Sequence, residues 1–511
     1  MLWFPHGIFA QHVLYAGPFR MASGFRIEVI GKSGNDYWAA QILHPDNPYR
    51  HRGSTEAALR QFELYDTRLR LIREDQPAVL PGTRKQWLVA GKNSLDQLML
   101  TGDEGKTRLI CSRFYTDGQR ERQIRMLDSL PFSTDPSAFL LVRSEDHSKI
   151  LFIAFDNSDE MTTRVYAVLF DEEWNTLYHQ VISHVLFSQP CIQDDEIGFP
   201  GESFDNLPVK LANNGEWLMA APSRISQNFS LFHACANGAD YQFREIPISP
   251  YYKTEDVAMS IDNDRQEMSV GVLSGYPKTS LKTVQITNYS IEEGRFDFDT
   301  SYRFSTQTRE WRDKNLSREN FMAVPGGGYL LLKEYGMPYE IGKTETPFFS
   351  NWEAAYLLAH YAESGPSKTA VPTGFNVNPG LRPIPLIRNR GDLSFFYFSS
   401  VKQDSTWSGS LFMEQHTEVN NPDLSYLMIP DHNKLYLIYN SLEGSEMPVA
   451  TATTLNRQGK PTGDALIFWE MNKGLNFQKA HRFAKDEVSV PYLGNPQNGF
   501  AILRLNGIDD Q

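Results

Sequence analysis

Hydrophobic and polar positions along the chain fall into short apolar runs separated by tight polar turns, an arrangement that returns from near the first residues to the last. A run, a turn and a second run make up FRIEVIGKSGNDYWAAQIL from Phe25, WLVAGKNSLDQLML from Trp87, FLLVRSEDHSKILFIAF from Phe139, VKLANNGEWLMAAP from Val209 and VAMSIDNDRQEMSVGVL from Val257. The same pattern continues in FMAVPGGGYLLL from Phe321, LIRNRGDLSFFYF from Leu386, YLMIPDHNKLYLIY from Tyr426 and VPYLGNPQNGFAIL from Val490. The runs are β-branched and aromatic, and the turns are rich in Asn, Asp, Gly and Ser, which tolerate positive φ or bond their own backbone. Each string therefore predicts an antiparallel hairpin. None of the runs has helical spacing.

Most hairpins are followed by two further extended segments, such as RVYAVLFDEEWNTLYHQVI from Arg164 to Ile182 and KTVQITNYSIEEGRFDFDTSYRF from Lys282 to Phe304. A unit is thus four strands, returning every roughly 50 to 65 residues, at and somewhat above the blade repeats of about 40 to 50. A lone four-stranded meander leaves a hydrophobic face bare, whereas meanders set around an axis cover one another. The pattern predicts an all-β chain, a β-propeller of seven or eight four-stranded antiparallel blades, with closure of the ring using both chain ends. A row of β-sandwiches has similar strand statistics. Against it, no Pro/Gly/Ser-rich linker or composition break divides the chain, so residues 12–511 are read as one propeller domain.

Composition narrows the functional classes. The chain has 511 residues, 13% of them aromatic, and a formal net charge of −13. Such a field repels phosphate, so neither nucleic acid nor an anionic membrane is an expected partner. No run reaches the roughly 20 apolar residues of a transmembrane helix. The three cysteines, Cys111, Cys191 and Cys235, lack CxxC spacing, so the reading is of buried thiols, with one disulfide open to an exported protein. The first eleven residues, MLWFPHGIFAQ, are apolar without a basic n-region, and Ile8, Phe9 and Ala10 resemble the end of a signal peptide's apolar region. Residues 1–11 are read as a truncated signal remnant, which implies export to the periplasm, cell surface or medium; the other reading is a first strand over Leu2 to Phe9 in a cytoplasmic protein.

Motifs for chemistry are sparse. The chain has no GxSxG elbow, GxxxxGK[ST] loop, HExxH helix or DxDxDG calcium loop. Gly326, Gly327 and Gly328 sit in a hairpin, where no helix follows to face an anion. Asp262, Asn263 and Asp264 fill another turn, where Asp and Asn serve the backbone. His233 reads as a packed, hydrogen-bonded side chain, and His179 and His184 do not form a helical pair. The string from Gln403 to Gly409 lacks the glycine and spacing of a sialidase Asp-box, and the Trp-Asp strand ends of the WD40 class are missing. No cofactor and no metal site is expected.

What remains is loop length. Connections between blades, and between second and third strands, gather on one face around the axial mouth, where ligands bind. Four are long: Ser188 to Asn206, Ser305 to Glu319, Gly336 to Trp352 and Ser364 to Pro383. Loops of this length that mix aromatic anchors with charges suit recognition. The binding candidates are Asp194, Asp195 and Glu196 in the first, Arg309, Trp311 and Arg312 in the second, Trp352 at the end of the third, and Arg382 in the fourth.

The strings FRIEVIGKSGNDYWA, FELYDTRLRLI, RNRGDLSFFYF and DSTWSG, with the terminal ALIFWEMNKGLNFQKAHRF and EVSVPYLGNPQNGFAILRL, resemble a set of uncharacterised bacterial proteins of about this length, usually exported. The resemblance covers nearly the whole chain, implies a propeller of the cell envelope, and brings no activity and no site residue with it. The expected function is a non-catalytic binding or scaffold propeller that recognises a protein, peptide or glycan through its long-loop face. The alternative is a carbohydrate-active hydrolase or lyase with carboxylates at the channel mouth. A quinone- or metal-dependent oxidoreductase has no ligand cluster or cofactor motif to support it.

Overall fold

The fold rests on a computed structural model. It describes residues 13–16, 25–43, 59–103, 106–119, 124–130, 139–156, 163–185, 197–200, 208–223, 228–235, 241–248, 251–276, 281–305, 315–324, 328–339, 387–399, 407–411, 415–418, 426–431, 434–441, 449–456, 466–468, 480–484, 487–491 and 499–504. These strands form eight sheets. Seven are built from strands consecutive in sequence, and the eighth joins the two ends of the chain.

The first sheet pairs Phe25–Ser33, Asp36–Leu43, Leu59–Tyr65 and Leu71–Asp75 in that order, antiparallel throughout. The second repeats the plan with Thr83–Ala90, Ser94–Asp103, Lys106–Tyr115 and Arg125–Leu130, and the third with Phe139–Arg143, Lys149–Asp156, Thr163–Asp171 and Thr176–Val185. The fourth, fifth, sixth and seventh follow from Val209, Lys253, Asn315 and Tyr426. In the eighth, His481–Ala484, Glu487–Pro491 and Phe500–Arg504 are completed by Val13–Ala16, which pairs with Phe500–Arg504 as the outermost strand. Closure through both ends is thus observed.

First strands of neighbouring sheets lie side by side around the axis, including Phe25–Ser33 against both Thr83–Ala90 and His481–Ala484. Fourth strands stand outermost, and Leu71, Ile72, Met126, Val181, Tyr241 and Phe243 on them are exposed. The sheets are the blades of a propeller, and the stacking explains why its strands read as unbroken apolar runs. In Lys149–Asp156, Ile150, Phe152 and Ala154 pack on the second blade, while Leu151, Ile153 and Phe155 pack toward the fourth. Side chains alternate across a strand, so a blade buried on both faces needs apolar residues at every position. Among the described residues, apolar clusters fill seven seams between neighbouring blades, including the one between the eighth and the first.

The hairpins expected from Phe25, Trp87, Phe139, Val209, Val257, Phe321 and Tyr426 are the first two strands of their blades. The one from Val490 lies between the second and third strands of the eighth blade. The hairpin expected from Leu386 is not one. Ile387–Phe398 is a single long strand with a bulge at Gly391–Asp392, where two of its residues stand against one of Tyr329–Tyr339 and the register shifts between Glu334 and Gly336. Arg390-Gly391-Asp392 has the local composition of a turn, but sheet pairing along the neighbouring strand outweighs it.

Candidate functional site: the axial channel and its seams

The ring has two unlike faces. On one, the turns joining first to second strands are bonded blade to blade from the first blade to the fifth. Ser33 Oγ donates to Gly91 O at 2.6 Å, and Arg143 Nη1 to Ala90 O at 2.8 Å. Asp146 N donates to Asn213 Oδ1 at 3.2 Å, Asn213 N to Asn263 Oδ1 at 2.9 Å, and Asn263 Nδ2 to Glu145 Oε2 at 2.8 Å. Asn263 is therefore spent on holding the third, fourth and fifth blades together, in keeping with the turn role read from the sequence. No group of three or more His, Cys, Asp or Glu among the described residues is placed to hold a metal ion.

The other face is where fourth strands lead into the next blades. One of these connections, 188–206, sends Ile197–Gly198 into the channel, where it pairs in parallel with the first strand of the second blade, Ile197 opposite Gln86 and Gly198 opposite Trp87. Here a side chain at residue 198 has no room, because a Cβ on Gly198 falls 2.9 Å from Trp87 Cδ1. Phe199 packs against the seam of the first and second blades and lies 5.2 Å, centroid to centroid, from the ring of His481 on the eighth. Pro200 is buried. Three residues thus bridge the inner strands of three successive blades.

Acids sit at three seams in a recurring arrangement, Asp96 and Glu487 buried and Glu216 partly exposed. Asp96, on the second strand of the second blade, faces Arg113 on the third, with Nε to Oδ1 at 2.7 Å, and accepts Trp174 Nε1 from the third blade at 2.8 Å. Glu487, on the second strand of the eighth blade, faces Arg504 on the third at 3.0 Å and accepts Tyr37 Oη from the first blade at 2.8 Å, with Lys32 Nζ at 3.3 Å. Glu216, just before the second strand of the fourth blade, meets His233 Nε2 on the third at 2.8 Å, and the His233 ring stacks 3.9 Å from Tyr289 of the fifth. In each, acid and base stand 17 residues apart and the next blade supplies an aromatic side chain.

Burial works against the Arg113 charge, but its bonds to Asp96 outweigh that and hold the guanidinium protonated. Burial pushes the Tyr37 phenol up to about 12, with the bond from Arg504 opposing it and the charge of Glu487 adding to it. Trp174 adopts a positive φ of 62°, unusual for a bulky residue, and the buried indole bonded to Asp96 holds it there. A further polar group lies toward the outer wall, where Tyr166 Oη donates to Asp128 Oδ2 at 2.7 Å and lies 3.0 Å from His179 Nδ1. Burial raises the Tyr166 phenol above its ordinary range.

All the binding candidates from the sequence, Asp194, Asp195, Glu196, Arg309, Trp311, Arg312, Trp352 and Arg382, lie outside the described residues. Asp194 to Glu196 directly precede the channel segment. His233 is fully buried and bonded, as read. Cys111 is buried in the apolar seam of the second and third blades, as its reading implied, and Cys235 is half-buried. Sequence reasoning missed Gly198, Phe199, Trp87 and His481, since a two-residue strand leaves no periodicity. It also missed the seam acids, for which the shared spacing of 17 between acid and base is the available signal.

No family model matches the chain, and no curated protein does. Among solved structures, the chain is similar to the WD40 domain of SCAP from fission yeast, with 7% identity, 97% of this chain and 98% of that one covered, and a TM-score of 0.37. It is similar to the polysaccharide lyase Uly1, with 8% identity, coverage of 97% and 99%, and a TM-score of 0.39. The β-propeller domain of the Trilobed protease from Pyrococcus furiosus shares 9% identity, coverage of 84% and 98%, and a TM-score of 0.34. Likenesses this distant carry no functional argument, and the architecture stands on the strand pairing and seams described above.

Proposed function

We propose that this chain is a non-catalytic binding propeller, a rigid ring that presents the face of long connections to a protein, peptide or glycan partner. The observation that carries the reading is the contrast between the faces. On one, the first-to-second turns of the first five blades are bonded to one another, while a long connection from the other reaches the channel and lies on an inner strand. Loops held by a rigid scaffold are where recognition concentrates. Export and a place in the cell envelope belong to the same proposal. The test is affinity capture by the immobilised full chain, compared with the double substitution Trp311→Ala and Arg312→Ala. Loss of specifically captured partner in the variant supports the face, and unchanged capture overturns it.

The competing reading, a hydrolase or lyase acting on carbohydrate, draws support from Asp128, Tyr166 and His179, where an acid, a phenol and a half-exposed imidazole share hydrogen bonds. A polysaccharide panel incubated with the wild type and with Asp128→Asn decides it. Product release that depends on Asp128 favours catalysis, and none with either protein discards this cluster as its centre.

A further inference from the structure

The first strand of a propeller blade ordinarily leaves its inner N–H and C=O groups facing the channel, and an unpaired strand edge is a template for another extended chain. At the second blade that edge is taken. Ile197–Gly198 adds to Thr83–Ala90 in parallel, a main-chain pairing of the kind by which an extended peptide adds to a sheet edge. The seat is shaped on both sides. Trp87, 3% exposed, presents its indole edge so closely that only glycine fits opposite it, and Lys85 Nζ lies over that ring, 5.6 Å from its centroid. His481 forms a shelf for the aromatic ring that follows.

We propose that the inner edge of Thr83–Ala90, with Trp87 and His481, is a strand-addition site for an extended peptide carrying glycine followed by an aromatic residue, and that Ile197–Phe199 is its resident occupant. The inference rests on the binding reading above and names the partner's chemistry as peptide. Only two residues of the occupant pair with the edge, so the seat is held chiefly because the occupant is tethered. A tether of short length supplies an effective concentration in the millimolar range, enough to keep a weak contact closed. A peptide partner therefore competes with the chain's own segment, and a change that expels the segment opens the seat.

The experiment uses the full chain and a fluorescent peptide with the sequence of Asp194–Gly201, DDEIGFPG. Gly198→Val places a branched side chain against Trp87 and expels the segment, so this variant is expected to bind the peptide roughly tenfold or more tightly than the wild type does, since the tethered competitor is gone. The peptide with valine in place of its glycine is expected not to bind. Phe199→Ala, which removes only the ring on His481, serves as a second opened form, with an intermediate gain. Hydrogen exchange at the Gly198 amide of the wild type is expected to rise when the peptide is in excess. Equal binding of the two peptides, or no binding to either opened form with its strand content intact, overturns the proposal. The capture test on Trp311 and Arg312 has its own outcome: partner capture lost there while DDEIGFPG binds neither opened form leaves the binding face standing and removes the strand-addition site alone.

Discussion

The seam between the second and third blades and the seam that closes the ring are built to one plan, yet they hold their charges differently. At the first, Asp96 and Arg113 have side chains only 2% and 11% exposed. At the second, Glu487 is 4% exposed, but Lys32 and Arg504 are each 32% exposed. A buried acid with a buried base is costly to separate, because the survivor keeps its charge with little water to solvate it, and Arg113 then has only the exposed Glu173 as its counter-charge among the described residues. A buried acid ringed by half-solvated bases leaves survivors that water can satisfy. The comparison teaches that matching geometry need not mean matching energetics, and that the solvent access of the base decides.

The largest effect is therefore expected at the inner seam. Asp96→Ala leaves Arg113 to Glu173 and the Glu172 carbonyl and removes the buried acceptor that holds the Trp174 turn, for an expected loss of about 3 kcal/mol. The midpoint of urea unfolding measures it, and a loss no greater than at the closing seam would break the comparison. Glu487→Ala leaves Lys32 and Arg504 to water and takes the acceptor from Tyr37, for about 1–3 kcal/mol in the same measurement.

Tyr37→Phe tests the closing seam by pH. Its phenol is raised from 10.0 to about 12 in the folded protein, so the folded form binds the proton more tightly than the unfolded one. The resulting stability is fully present below pH 10 and is lost as pH rises from there through about 12. Removing the hydroxyl is expected to cost about 1 kcal/mol at neutral pH, the size of one hydrogen bond. It should also flatten part of the alkaline fall in stability. Unfolding midpoints across that range, with tyrosinate absorbance followed in parallel, give the answer, and an unchanged fall would assign it to other groups.

Much of the ring was legible because each blade writes its own pattern locally. The turns at Gly34 and Gly215, both at positive φ, and the apolar runs on either side of them mark first and second strands without help from distant residues. The third and fourth strands from Arg164 and Lys282 followed by the same logic. The strand Ile387–Phe398 was not legible, because pairing with Tyr329–Tyr339 on both sides of Gly391–Asp392 turns a local turn signal into a bulge within one strand. The channel segment escaped for a related reason. What Ile197–Phe199 does depends on Trp87 and His481, residues far away in sequence, and nothing in a stretch so short announces a partner. The seam acids stand between these cases, since Asp96, Glu216 and Glu487 look like ordinary strand-end polars until their spacing to Arg113, His233 and Arg504 is compared.

Val13–Ala16 is the outer edge of a sheet whose other three strands come from 481–504. During synthesis this early segment leaves the ribosome long before any strand it can pair with exists, while the blades from Phe25 onward have all they need to fold in turn. The ring is thus a clasp fastened only once residues 481–504 have been made. Until then Phe25–Ser33 and Asp36–Leu43 show the nascent protein's surroundings an apolar flank destined for Phe483, Phe500 and Ile502, which makes the first blade the place where a chaperone has most to shield.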